Sequence, residues 1–183
     1  MPRITAVDPA VATGAAKQLL DIVQSQLGMT PNLMRTLANA PAALKGFLDL
    51  NTALAGGVLD SKFREQIALA VAQANACDYC LSAHTTLGAM VGLTPTEVTA
   101  SREGRSSEAR RDAGLKLAQS IVNSRGQVPD ASILKARAAG LNDAEMTEIV
   151  VNVALNILTN YLNHVAQTVV DFPPVEAALA ATA

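Results

Sequence analysis

Tryptophan is absent from this chain of 183 residues, which carries only three phenylalanines, two tyrosines, two cysteines and two histidines. With aromatics at 3% and few alternating runs of β-branched residues, the composition turns away from β-sheet and toward helix. Two cysteines are too few for the disulfide scaffold of small secreted proteins. Fourteen basic and sixteen acidic residues are interspersed, so no basic stripe is available to neutralise phosphates, and nucleic acid is excluded as a partner. Long uninterrupted apolar runs are also missing. The opening "MPRITAVDPAVATGAAK" lacks the apolar centre of a secretion signal, and "IVVNVALNILTNYL" is broken by asparagines, so no membrane partner is expected. The expectation is a soluble, cytoplasmic protein.

Half of the residues are hydrophobic, enough for a sizeable core. Recurring Leu, Ile and Val in alanine-rich segments predict helices near 8–27, 31–38, 41–56, 60–75, 77–91, 95–103, 107–125, 130–139 and 143–169. The stretches beginning at Gly28, Gly92 and Gly140 each read as a helix stop followed by a start. Glycine takes the left-handed exit, and Thr30, Thr94 or Asn142 caps the next helix. Glu97 and Glu145 complete two capping boxes. "GRSSEARR" is the most polar connection and marks a seam. A shift of 82 positions sets Leu59 on Leu141, Asp60 on Asn142, Ile67 on Ile149, Val71 on Val153 and Tyr79 on Tyr161, the pattern of two related halves packed as one domain over 1–183.

Chemistry concentrates in "NACDYCLSAH". Cys77, Cys80 and His84 are spaced three and four apart, which puts them on one helix face. A helix starting near Cys77 sets that thiol at the positive end of the dipole, where thiolate is favoured, and places His84 within reach of Cys80 as base or ion-pair partner. Along a continuous helix Glu65 would lie about 18 Å from Cys77. A hairpin at Asn75, a residue that tolerates the left-handed conformation, sets Glu65 about 15 Å back along one helix and His84 about 13.5 Å along the other, at similar heights. Carboxylate, imidazole and two thiols then line one groove.

The spacing of Glu65, Cys77, Cys80 and His84 resembles the signature of the alkylhydroperoxidase D (AhpD) family, within the carboxymuconolactone decarboxylase-like group. The resemblance covers "REQIALAVAQANACDYCLSAH", and the helix pattern over about 40–170 is compatible with that family's all-α fold. It implies a thiol peroxidase without a cofactor. Cys80 would attack a hydroperoxide, Cys77 would resolve the sulfenic acid into a disulfide, Glu65 and His84 would relay protons, and an external dithiol or protein reductant would restore the thiols. Tyr79 stands where well-characterised members carry histidine, a feature similar to the family's peroxidase-related branch, and is read as a wall of the substrate pocket. The decarboxylase members generally lack the cysteine pair, which argues against lactone decarboxylation. A general dithiol–disulfide oxidoreductase and a non-catalytic redox-sensing helical oligomer are the alternative readings.

Zinc could draw on Cys77, Cys80 and His84, with Glu65 or His164 as a fourth ligand, but structural zinc takes its ligands from two separate knuckles. His164 reads as a hydrogen-bonded structural residue. Asn152, Asn156, Asn160 and Asn163 form a stripe on an apolar helix, read as an interface or inter-helix network rather than a ligand site. A mean hydropathy of +0.24 leaves apolar surface for a partner subunit, so a homo-oligomer is expected.

Overall fold

The alanine-rich, periodic segments all become helix in the computed structural model, which describes residues 1–177. They are α1 (Gly14–Leu27), α2 (Asn32–Leu37), α3 (Pro41–Ala55), α4 (Ser61–Ala74), α5 (Asp78–Met90), α6 (Pro95–Arg102), α7 (Ala109–Ser124), α8 (Asp130–Ala138) and α9 (Asp143–Ala166). No strand occurs among the described residues. Gly28, Gly92 and Gly140 take φ of 72°, 87° and 92°, the left-handed exits expected of them. Thr94 with Glu97 and Asn142 with Glu145 both form complete capping boxes.

Three local expectations are corrected. The first helix begins at Gly14 rather than near residue 8, because Asp8 caps a single turn of its own: its carbonyl accepts from Ala12 N–H at 3.0 Å and its side chain from Ala10 N–H at 3.0 Å. Thr30 caps nothing; Pro31 occupies the cap position of α2, and the Thr30 hydroxyl donates to Gln24 Oε1 at 2.9 Å. The last helix ends at Ala166, with Gln167 left-handed at φ 52°.

The centre of the molecule is α4, which packs against α5, α6, α7 and α9. Eight of its residues are buried, and six of them serve two apolar clusters. Leu69 and Ala72 join Leu20, Leu44 and Leu81 in one; Phe63, Ile67, Ala70 and Val71 join Leu115, Ile149 and Val153 in the other. Gly114 permits the close approach of α7, since a Cβ there would run into the Phe63 ring. A leucine truncated to alanine inside such a cluster typically costs about 2–5 kcal/mol.

By length and composition α9 could cross a membrane, but half of its apolar window is buried inside this fold. Beyond it the chain runs back without helix as a strap. Asp171 accepts from Asn32 N–H at 2.7 Å, Val175 N–H donates to Ser82 Oγ at 2.8 Å, and Ala177 N–H donates to Asp78 Oδ1 at 2.8 Å. The strap thereby fixes α2 against α5.

Candidate active site

Between α4 and α5 the chain reverses over three residues, Asn75, Ala76 and Cys77. The expected hairpin is present, but its left-handed residue is Ala76, at φ 51°, and Asn75 has φ −92°. Asn75 is held by other means. Its carboxamide donates to Asn160 Oδ1 at 2.9 Å, and its carbonyl accepts from His164 Nε2 at 2.8 Å. Two contacts from α9 therefore fix the turn, and a left-handed alanine, costing about 1–2 kcal/mol, is tolerated within it. The same bond makes His164 the structural residue it was expected to be.

The turn delivers Cys77 to the N-cap of α5, where its sulfur accepts from Cys80 N–H at 3.3 Å. Cys77 and Cys80 are joined by a disulfide, and both are 2% exposed. Glu65, near the start of α4, meets His84 on α5: Glu65 Oε2 lies 2.8 Å from His84 Nδ1, with both side chains 20% exposed. An ionised carboxylate only accepts, so Nδ1 carries the proton and Nε2 remains free to take or give one. With both sulfurs in the disulfide, no group of three metal-ligating side chains occurs among the described residues.

Cys80, His84, Glu65 and Tyr79 all line one cavity of about 510 Å³. Of the four groups expected to line one groove, Glu65, His84 and Cys80 do so together with Tyr79, whereas Cys77, bonded to Cys80, does not line this cavity, which corrects the expectation for that thiol. The remaining walls are mostly apolar: Leu33, Met34 and Phe47 from the first helices, Leu87 and Met90 from α5, and Phe172 from the strap. Tyr79 is a wall, as expected. It is 4% exposed, its hydroxyl accepts from Leu33 N–H at 3.0 Å, and its ring meets Phe172 edge-on with centroids 5.9 Å apart. Burial pushes its phenol far above the ordinary range, so it stays protonated.

The asparagine stripe divides. Asn160 joins the inter-helix network, whereas Asn152 and Asn156 line the cavity, which corrects the expectation for those two. Their amides bond back to Glu148 and Asn152 carbonyls on their own helix, at 2.8 Å each, so neither spans to another helix. Asn163 donates from Nδ2 to Cys80 Sγ at 3.3 Å, a contact to the candidate nucleophile that sequence reasoning did not assign. Its membership of the stripe was the available signal; its register against Cys80 was not. Arg64, beside Glu65, also lines the cavity and was missed; its buried Nε has no hydrogen-bond partner among the described residues.

Residues 41–109 match the model of the carboxymuconolactone decarboxylase family. No curated protein gives a significant sequence match. Among solved structures, an uncharacterized peroxidase-related protein from Ralstonia eutropha JMP134, described as an alkylhydroperoxidase AhpD core, is 24% identical with a TM-score of 0.82. The alignment covers 93% of this chain and 92% of that one. An uncharacterized peroxidase-related protein from Silicibacter sp. TM1040 is 23% identical over 94% of this chain and 93% of its own, at a TM-score of 0.78. The debrominase Bmp8, in complex with 2,3,4-tribromopyrrole, shares the fold at 17% identity, a TM-score of 0.79, and coverage of 92% and 91%. The fold of this chain is therefore AhpD-like.

Proposed function

Because residues 41–109 match the model of the carboxymuconolactone decarboxylase family and the fold is AhpD-like, we propose that the chain is a thiol-dependent peroxidase acting on hydroperoxides. The observation that carries this reading is the convergence of Cys80 and the hydrogen-bonded Glu65–His84 pair on one mostly apolar cavity.

The cycle starts from the reduced pair. Cys80 thiolate attacks the distal oxygen of a hydroperoxide, the O–O bond breaks, and the alkoxide leaves as an alcohol with a proton from His84, whose charge Glu65 stabilises. Cys80 is now a sulfenic acid. Cys77 thiolate attacks its sulfur, the S–O bond breaks, and the oxygen leaves as water after protonation. Two donor thiols then reduce the disulfide and are themselves oxidised to a disulfide. Asn163 Nδ2 supports negative charge on Cys80 Sγ, and the apolar walls suit an organic hydroperoxide over hydrogen peroxide.

Turnover of cumene hydroperoxide with dithiothreitol tests the reading. Turnover in the parent and its loss, by about 10³-fold or more, in both Cys80→Ser and Cys77→Ser is expected. Survival of both free thiols after stoichiometric peroxide overturns it. Rapid exchange with protein disulfides without peroxide turnover selects the general oxidoreductase instead. A change of oligomer size on oxidation without turnover selects the redox sensor, and turnover of 2,3,4-tribromopyrrole alone selects reductive dehalogenation.

A further inference from the structure

Cys80 and Cys77 face different cavities. The large cavity is lined by Cys80; a separate, more polar one of about 240 Å³ is lined by Cys77, and Tyr79 alone borders both. The smaller cavity sits at the N-terminus of α5, bounded by Ala76 and Asp78 on one side and by Asn163, His164 and Thr168 on the other. Two buried polar atoms on its lining residues, Asn163 Oδ1 and Thr168 Oγ1, have no hydrogen-bond partner among the described residues. Asn163 itself is 95% buried, its exposure being 5%. Buried polar atoms are seldom left without a partner, and a pair of them beside one sulfur of a disulfide points to something that binds there.

We propose that this second cavity receives the electron donor, a cysteinyl thiol flanked by amide groups, which attacks Cys77 while the hydroperoxide is handled at Cys80. The proposal rests on the disulfide being the working redox pair of the proposed peroxidase. An amide N–H of the donor meets Asn163 Oδ1, and an amide carbonyl accepts from the Thr168 hydroxyl. His164 donates from Nε2 to the Asn75 carbonyl, which leaves Nδ1 as the ring atom able to take the thiol proton.

Each exchange step balances. The donor thiolate attacks Cys77 Sγ, the Cys77–Cys80 bond breaks, and its electron pair leaves on Cys80 as thiolate, next to the Asn163 amide and facing the peroxide cavity. A second donor thiol then attacks the donor sulfur of the mixed disulfide. Cys77 is released as a thiol, and two donor thiols have become one disulfide. The nucleophile is thereby restored in its attacking form on the side where the oxidant arrives. Attack on Cys80 would place the donor in the oxidant's cavity and leave the wrong sulfur free.

The test starts from oxidised protein and uses no peroxide, so its outcome is independent of peroxidase activity. Oxidised protein is mixed with glutathione, quenched with iodoacetamide and mapped by tandem mass spectrometry. Glutathione on Cys77 with the alkyl group on Cys80 is expected; glutathione on Cys80 overturns the proposal. The second measurement compares reduction rates for Thr168→Val. A fall of about threefold to tenfold with glutathione, and none with 2-mercaptoethanol, which has no amide, is expected for one lost hydrogen bond. Equal slowing with both thiols, or none with either, removes the amide-bearing donor from this cavity.

Discussion

Residues 59–80 and 141–162 begin alike and end differently. Leu59 and Leu141 are each 3% exposed, Asp60 and Asn142 each accept at the N-cap of the following helix, and Ile67, Ile149, Val71 and Val153 are fully buried in the same cluster. The correspondence then fails. Helix α4 stops at Ala74 and reverses through Asn75 and Ala76, whereas α9 passes its equivalent position, Asn156, and runs on to Ala166. Tyr79 is buried, while Tyr161 is 57% exposed. One segment is bent to bring the cysteine pair beside the cavity and its counterpart stays straight to hold the bend, through Asn160, Asn163 and His164. A reactive hairpin is thus braced by an unreactive helix of the same pattern.

The largest expected effect strikes the proposed peroxidase chemistry, whose residues lie on the bent side alone. His84→Ala should lower peroxide reduction by about 10²–10⁴-fold, and Glu65→Gln should do the same to a lesser degree, with helix content by circular dichroism unchanged. Equal activity in both variants would separate the relay from the reaction. Next comes the brace. Asn160→Leu removes the acceptor of the Asn75 amide and should destabilise the fold by about 1–3 kcal/mol in urea unfolding, with earlier hydrogen exchange at the hairpin than in α9. The smallest effect belongs to the bend itself. Ala76→Gly relieves the left-handed alanine and should stabilise by up to about 1 kcal/mol in the same measurement, the glycine's extra chain entropy offsetting part of the gain. A loss of stability there would mean that the Ala76 methyl packs more usefully than its backbone strain suggests.

The caps and the chemical spacing were legible because they are local. Gly92, Thr94 and Glu97 declare a helix boundary within six residues, and the offset from Glu65 to His84 demands a reversal between them. The position of the left-handed residue was not legible, since residue preference favours Asn75 and only the bonds from α9 decide otherwise. The cavity was illegible for a related reason. Leu33, Met34 and Phe172 carry no reactive group, and they reach Tyr79 from 46, 45 and 93 positions away in the chain, so ordinary core residues become cavity walls only through tertiary placement. The asparagine stripe announced itself by composition, but its division into cavity wall and sulfur contact depends on the rotation of α9 about its own axis.

The position of α4 between both apolar clusters bears on how the molecule could be taken apart. The polar connection at 104–108 is the natural place to sever the chain, yet the cut would give one fragment with Phe63 and Ile67 bare and another with Leu115 and Ile149 bare. The first fragment would keep every buried residue of the first cluster, but neither fragment would own the second cluster whole. Each is the other's missing half, so recovery of the fold from two separately made pieces becomes a matter of encounter and concentration, and the seam behaves as a latent subunit boundary within a single polypeptide.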